Sequence, residues 1–172
     1  DCVGIQERME ESKNWFERAA ERVPGYRGYK DKELRREADK LQRLYVGERL
    51  ETCRRALEEV QLDLTRRGSL DLLGVIDTTI RRLRTSTDRI RYADYGYAGL
   101  FDTTKVGEEK LAELYQFDVR LQERARGLED LAAILTADSP SLRADLDLLD
   151  QRIEALGAYF AGREQLITGA ER

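Results

Sequence analysis

The sequence predicts an all-α fold: an up-down antiparallel helical bundle of four long helices plus a shorter N-terminal helix, with coiled-coil-like packing. Three observations predict it. Apolar residues recur at intervals of three and four, the spacing of one helix face. The 172 residues combine 41% hydrophobic and 37% charged side chains with only 2 prolines, as long amphipathic helices do. The breaks between helical segments are short, so consecutive helices should run in opposite directions within a single domain, residues 1–172.

The predicted helices are separated by residues that end or begin a helix. These breaks lie at Pro24-Gly25, Gly68-Ser69, the segment 96–99 and Ser139-Pro140. Ser69 and Ser139 are the expected N-caps of the helices that follow them, because a serine hydroxyl accepts a hydrogen bond from a free backbone N–H. The breaks place the helices at about 4–23, 31–67, 69–95, 103–136 and 139–168.

The first two predicted helices each have an apolar stripe. The stripe of the first is Ile5, Met9, Phe16, Ala19 or Ala20, and Val23. The stripe of the second is Leu34, Ala38, Leu41, Tyr45, Val46, Leu50, Cys53, Leu57, Val60 and Leu64. This second stripe slips by one position near Gly47, which predicts either a local kink or a change of winding. A continuous helix is favoured because no loop-forming residues surround Gly47.

The last three predicted helices keep a more regular repeat. The third buries Leu73, Ile76, Ile80, Leu83, Thr87 and Ile90. The fourth buries Leu111, Leu114, Asp118, Leu121, Ala125, Leu128, Ala132 and Leu135. The fifth buries Leu142, Leu146, Leu149, Ile153, Leu156, Phe160, Arg163 and Ile167. A compact bundle is favoured over a coiled-coil rod or a bundle completed by a second chain.

Charge and composition restrict the function classes. The chain has no histidine, which removes the commonest general base and transition-metal ligand. Cys2 and Cys53 form no metal-binding motif, and Cys53 is expected to be a small core residue. The net charge of −4 is uneven, because residues 1–91 are net basic and residues 92–172 are net acidic. The halves should attract each other within one bundle or across a dimer, or else the basic half binds phosphate or anionic lipid.

No segment resembles a signal peptide or a membrane span, so a cytoplasmic location is expected. The sequence begins at Asp1 rather than Met, so an upstream segment is expected to have been removed.

Two acidic residues, Asp94 and Asp118, fall at seam positions of the predicted bundle. A buried carboxylate is costly unless it is paired, so each is expected either to pair with an arginine of a neighbouring helix or to fix the helix register. The alternative is a carboxylate-based metal site in the core, although the Glu-x-x-His motifs of di-iron bundles are missing.

Aromatic and basic residues gather in two predicted connections that an up-down topology brings to the same end. They form a candidate interaction surface of Tyr26, Arg27, Tyr29, Lys30, Arg91, Tyr92, Tyr95, Tyr97, Phe101 and Lys105. Tyrosine and arginine are enriched at the energetic centres of protein interfaces. The alternative is that the rings close the end of the bundle and bond to loose backbone groups.

These features predict a non-catalytic helical-bundle protein that acts as a protein–protein interaction or scaffold module, with a protein partner or self-association. No catalytic constellation and no cofactor are predicted. A first alternative is an anionic partner, RNA or a membrane surface, bound by arginines of the second and third predicted helices. The second alternative is the metal site around Asp94 and Asp118.

Overall fold

The computed structural model describes residues 32–93 and 108–168 of the chain. Four α-helices occupy this part: α1 (Lys32–Arg66), α2 (Leu73–Arg91), α3 (Glu108–Ala133) and α4 (Leu142–Thr168). They correspond to the second to fifth predicted helices, and the predicted all-α bundle is confirmed. The predicted N-terminal helix at 4–23 lies outside the described residues. None of the described helices is long and apolar enough to cross a membrane.

The four helices pack in a ring in which α1 and α4 each contact α2 and α3. The α1–α2 and α3–α4 pairs are antiparallel, as short connections require. The α1–α3 pair is parallel, because Gln42 bonds to Gln122 and Arg49 bonds to Glu129 further along both helices. The helix α3 therefore lies beside α1 instead of directly beside α2, which precedes it in the chain.

The core consists of the predicted apolar stripes. In α2 the buried residues include Ile76, Ile80, Leu83, Thr87 and Ile90. In α3 they run from Leu114 through Asp118, Leu121, Ala125, Leu128 and Ala132, with Leu135 just beyond the helix, and in α4 from Leu142 to Arg163. The predicted buried positions of these three helices are confirmed except for Leu73, which is half-buried, and for Leu111 and Ile167, whose side chains lie outside the described residues.

Helix α1 is continuous through Gly47, and its stripe differs from the prediction. From position 39 onward the buried residues begin with Asp39 and Gln42, followed by the predicted Tyr45, Val46 and Leu50, while Leu41 is only half-buried; the side chains of the predicted Leu34 and Ala38 lie outside the described residues. The apparent slip near Gly47 arises because the polar residues Asp39 and Gln42 occupy the buried positions before it. The sequence pattern assigns their apolar neighbours in sequence, Ala38 and Leu41, to the stripe instead. Two successive spacings of four, from 42 to 46 and from 46 to 50, accommodate the shift without a kink.

Two predicted helix starts need correction. Gly68 ends α1 in the left-handed region with φ of 70°, and the backbone N–H of Ser69 donates to the carbonyl of Leu64 at 3.0 Å. This is the closing bond of a glycine-ended helix. Ser69 makes no cap hydrogen bond, and a 3₁₀ turn, Leu70–Leu72, precedes α2, so the helix begins at Leu73 and not at 69. At α4 the Oγ atom of Ser139 does accept the backbone N–H of Ser141, although regular helix starts at Leu142.

Gly47 on α1 leaves room for the side chain of Arg91 from α2. A Cβ atom at this position would lie 2.6 Å from Nε and 2.9 Å from Cγ of Arg91. We expect Gly47→Ala to lower the free energy of unfolding by about 1–3 kcal/mol, because the overpacked contact outweighs the better helix propensity of alanine. Urea denaturation followed by circular dichroism measures this change.

Gly157→Ala in α4 is the matched control, because a Cβ atom there meets nothing within 4 Å. It should gain up to about 1 kcal/mol. The double variant Gly47→Ala with Arg91→Ala should recover part of the loss. A Gly47→Ala protein as stable as Gly157→Ala would disprove the close-packing explanation.

Candidate interaction site and its buried polar support

A buried ion-pair cluster joins α1, α3 and α4. The side chain of Arg163 is only 1% exposed. Its Nε atom lies 2.5 Å from Oδ1 of Asp118 and its Nη2 lies 3.2 Å from Oδ2, while Nη1 donates to Asp39 at 2.7 Å. One guanidinium therefore binds one carboxylate with two bonds and a second carboxylate with one, the fork geometry that makes arginine suited to buried pairs.

The cluster extends to a second arginine and to two glutamines. Arg43 pairs with Asp39 at 3.1 Å, which balances the two carboxylates with two cations. Gln42 donates to the backbone carbonyl of Asp118 at 2.8 Å and accepts from Gln122 at 2.6 Å. These bonds between α1 and α3 form only when the helices are in one axial register. We name Asp39, Gln42, Arg43, Asp118, Gln122 and Arg163 the polar cluster.

The polar cluster also reaches the C-terminal end of α2. The Nη1 atom of Arg43 donates to the backbone carbonyl of Ala93 at 2.8 Å, with a longer bond of 3.4 Å to that of Arg91. These carbonyls lie at the last residue of α2 and two residues beyond it, where an arginine is a favourable cap. Arg43 thereby links the end of α2 to α1, and Gln42 links α1 in turn to α3, the second helix whose carboxylate binds Arg163.

Two residues of the predicted interaction surface lie at this tied end. Tyr92 is the C-cap of α2, and 78% of its surface is exposed. Arg91 is half-buried and packs its stem against Gly47. The other eight predicted members, namely Tyr26, Arg27, Tyr29, Lys30, Tyr95, Tyr97, Phe101 and Lys105, lie outside the described residues.

Two aromatic contacts flank the polar cluster, each within one helical turn of its members. Tyr45 of α1 is buried, its hydroxyl accepts from Nε of Arg126, and the guanidinium of Arg49 lies 4.9 Å from its ring centroid. On the other side of α3, Phe117 stacks on Tyr159 of α4 with centroids 4.5 Å apart. Burial lowers the pKa of Arg49, but the hydrogen bonds and the electrostatic attraction of Glu129 and Tyr45 together outweigh it, so the pKa is raised overall.

The predicted metal site has no support from these contacts. Both carboxylate oxygens of Asp118 accept from Arg163, and Asp94 lies outside the described residues. Within residues 32–93 and 108–168 no group of three or more His, Cys, Asp or Glu side chains is arranged to hold a metal ion. Cys53 is fully buried, and burial raises the pKa of its thiol to about 12, so the reactive thiolate is suppressed at neutral pH.

The sequence pattern predicts that Asp118 and Arg163 are buried, but it does not predict the burial of Asp39 or Gln42. Those two residues follow Ala38 and Leu41 directly, and a pattern based on apolar residues selects Ala38 and Leu41 in their place. An arginine at a core position is the signal that could have found them, because a buried cation requires carboxylates on the facing helices.

The described residues form a helical bundle with a buried arginine–carboxylate cluster, and Arg43 of this cluster is hydrogen-bonded to the helix end that carries the exposed Tyr92. The chain matches no protein-family model, no characterised protein and no solved structure.

Proposed function

We propose that this protein is a non-catalytic interaction or scaffold module, and that the end of the bundle that carries Tyr92 is its contact surface. The observation that carries the proposal is the exposed ring of Tyr92 on a helix end anchored by Arg43. Tyrosine combines a large apolar area with a hydroxyl and loses little conformational entropy on binding.

The hydrogen bonds that anchor this end of α2 support the same function. A contact surface binds more tightly when it is held in its bound conformation beforehand, because less ordering is required on association. The polar cluster provides this by tying the last carbonyls of α2 to α1, and α1 in turn to α3 and α4. The residue next to Tyr92, Arg91, adds a second side chain of the type enriched in interface centres.

The anionic-partner alternative has weaker support. Arg81, Arg82 and Arg84 on the outer side of α2 pair with Asp77, Asp150 and Glu58, respectively. Phosphate groups would have to compete with these carboxylates. The exposed pairs are individually weak, so they lower the affinity for an anion without abolishing it.

Site-specific photo-crosslinking tests the proposed contact surface. A benzophenone amino acid placed at position 92 should crosslink one defined partner in cells. The same residue placed at position 70 should not, although Leu70 is 65% exposed in the turn at the opposite end of the bundle.

Binding of the purified partner then decides the role of the ring. Tyr92→Ala should weaken binding at least about tenfold, the effect of losing a central aromatic contact, whereas Leu70→Ala should leave it unchanged. Equal binding by Tyr92→Ala and the parent would contradict the proposal.

A further inference from the structure

The face of the bundle formed by α2 and α4 presents two opposite charges side by side. Its α2 side carries Arg81 and Arg82, whose side chains are 68% and 52% exposed. Its α4 side carries Asp147 and Glu154, which are both exposed. A groove of about 470 Å³ runs between them and is lined by Thr78, Arg81, Arg82, Thr85, Ser86, Ile153 and Glu154. We name this surface the α2–α4 face.

The basic and acidic sides lie at the same height along the bundle. Arg82 bonds to Asp150 at 2.7 Å, which sets residue 82 level with residue 150. Helices α2 and α4 run in the same direction, because each runs antiparallel to α1 or α3, which are parallel to each other. Arg81 and Arg82 are therefore level with the acidic segment that runs from Asp147 to Glu154.

We propose that the α2–α4 face is a self-association surface whose partner is a second copy of this chain, related by a two-fold axis parallel to the helices. That axis sets α2 of each copy against α4 of the other, at the same height and in the same direction. Arginines then face carboxylates twice in one symmetric interface.

Charge selects this symmetry over the alternative. A two-fold axis across the helices would set α2 against α2 and α4 against α4, so that arginines face arginines and carboxylates face carboxylates. Such like-charge contacts suppress wrong pairings. The basic first half and the acidic second half of the chain thus attract each other within one bundle, as in the Arg82–Asp150 pair, and in the proposed dimer also between two copies.

The area of the face is adequate for a reversible dimer. The 19 residues of α2 give a length of about 28 Å, and two adjacent helices give a width of about 20 Å. The resulting area of about 560 Å² per copy is below the 800 Å² or so of a standard interface and is typical of a weaker, transient one. The intramolecular pair of Arg81 with Asp77 is largely exposed, with side chains 68% and 49% exposed, so Arg81 can be shared with a partner at little cost, whereas Asp150, the carboxylate that pairs with Arg82, is only 19% exposed.

Charge reversal of Arg81 and Glu154 tests the proposal, because both residues line the groove and neither belongs to the polar cluster. By analytical ultracentrifugation the parent chain should associate reversibly beyond its monomer mass of 19.9 kDa, more weakly as salt increases. Arg81→Glu alone and Glu154→Arg alone should each self-associate at least about tenfold more weakly. Their equimolar mixture, and the double variant, should recover the parent association.

The control and the contradicting outcomes are equally specific. Tyr92→Ala should associate like the parent, which separates a failure of this inference from a failure of the proposed contact surface. A parent chain that stays monomeric at all concentrations would overturn the inference. So would single variants that associate normally, or singles that are not restored by mixing. A monomer retained on heparin through Arg81 would favour the anionic partner instead.

Discussion

Arg163→Ala is expected to lower the free energy of unfolding by about 3–5 kcal/mol, the cost of breaking a buried ion pair. Removal of the guanidinium leaves Asp118 and Asp39 buried, with the two closest donors to Asp118 gone. The loss includes the packing of the arginine stem, since the side chain is almost fully enclosed. Chemical denaturation of the purified variant measures it.

Arg143→Ala is the matched control for this prediction. Arg143 also pairs with an aspartate, Asp147, but its side chain is 62% exposed, so its removal should cost less than about 1 kcal/mol. Arg163→Lys should be intermediate, because an ammonium cannot bind one carboxylate with two bonds and reach a second one. A cost below about 1 kcal/mol for Arg163→Ala would contradict the structural role of the cluster.

Apolar replacement of the charged residues of the polar cluster distinguishes its contribution to stability from its contribution to the helix register. Replacing Asp39, Arg43, Asp118 and Arg163 together by leucine removes both carboxylates and both cations of the cluster, so no buried charge is left without its counterpart and most of the stability should return. If the cluster fixes register, this variant should lose conformational uniqueness, seen as broadened amide signals in nuclear magnetic resonance spectra. Sharp, fully dispersed signals would count against the register hypothesis.

Leu83→Asp is expected to unfold the protein. Leu83 lies at the centre of the α2 stripe with no exposed surface, and an aspartate there would be buried without a partner. The penalty of several kcal/mol is comparable with the whole stability of a typical domain. Loss of the helical circular dichroism signal at 25 °C is the measurement.

Thr85→Asp is the control for this second prediction, because Thr85 is exposed on the same helix two positions away. It should melt within a few degrees of the parent, since surface substitutions usually change stability by less than about 0.5 kcal/mol. A Leu83→Asp variant that melts like the parent would show that the register assigned to α2 is wrong.

The helices were predictable because their signals are local. A stripe such as Ile76, Ile80 and Leu83 needs only the three-four spacing to be recognised, and Gly68 marks a helix end through its own conformational freedom. The start of α2 was placed four residues early because Ser69, though the right residue type, makes no capping bond in its turn. Residue type alone does not settle whether a hydroxyl meets a free N–H.

The candidate site was predictable only in part. The periodicity predicts that Asp118 and Arg163 are buried and that each of them needs a partner of opposite charge. It does not predict which residues pair, because Arg163 lies 45 residues from Asp118 and 124 residues from Asp39 in the chain. The exposure of Tyr92 could not be predicted from the sequence either, because it depends on where α2 ends and on the packing at that end.

For this protein, the order of polar and apolar residues is sufficient to specify the helices and most of the buried positions of α2, α3 and α4. These properties depend on residues within one or two helical turns of each other. Packing in three dimensions decided that α3 lies beside α1 instead of α2, that Gly47 accommodates Arg91, and that Asp39 and Gln42 complete a buried cluster. Each of these depends on the shape and charge of surfaces that are distant in the chain, and many pairings satisfy the same local pattern until side chains must fit and every buried charge must find its counterpart.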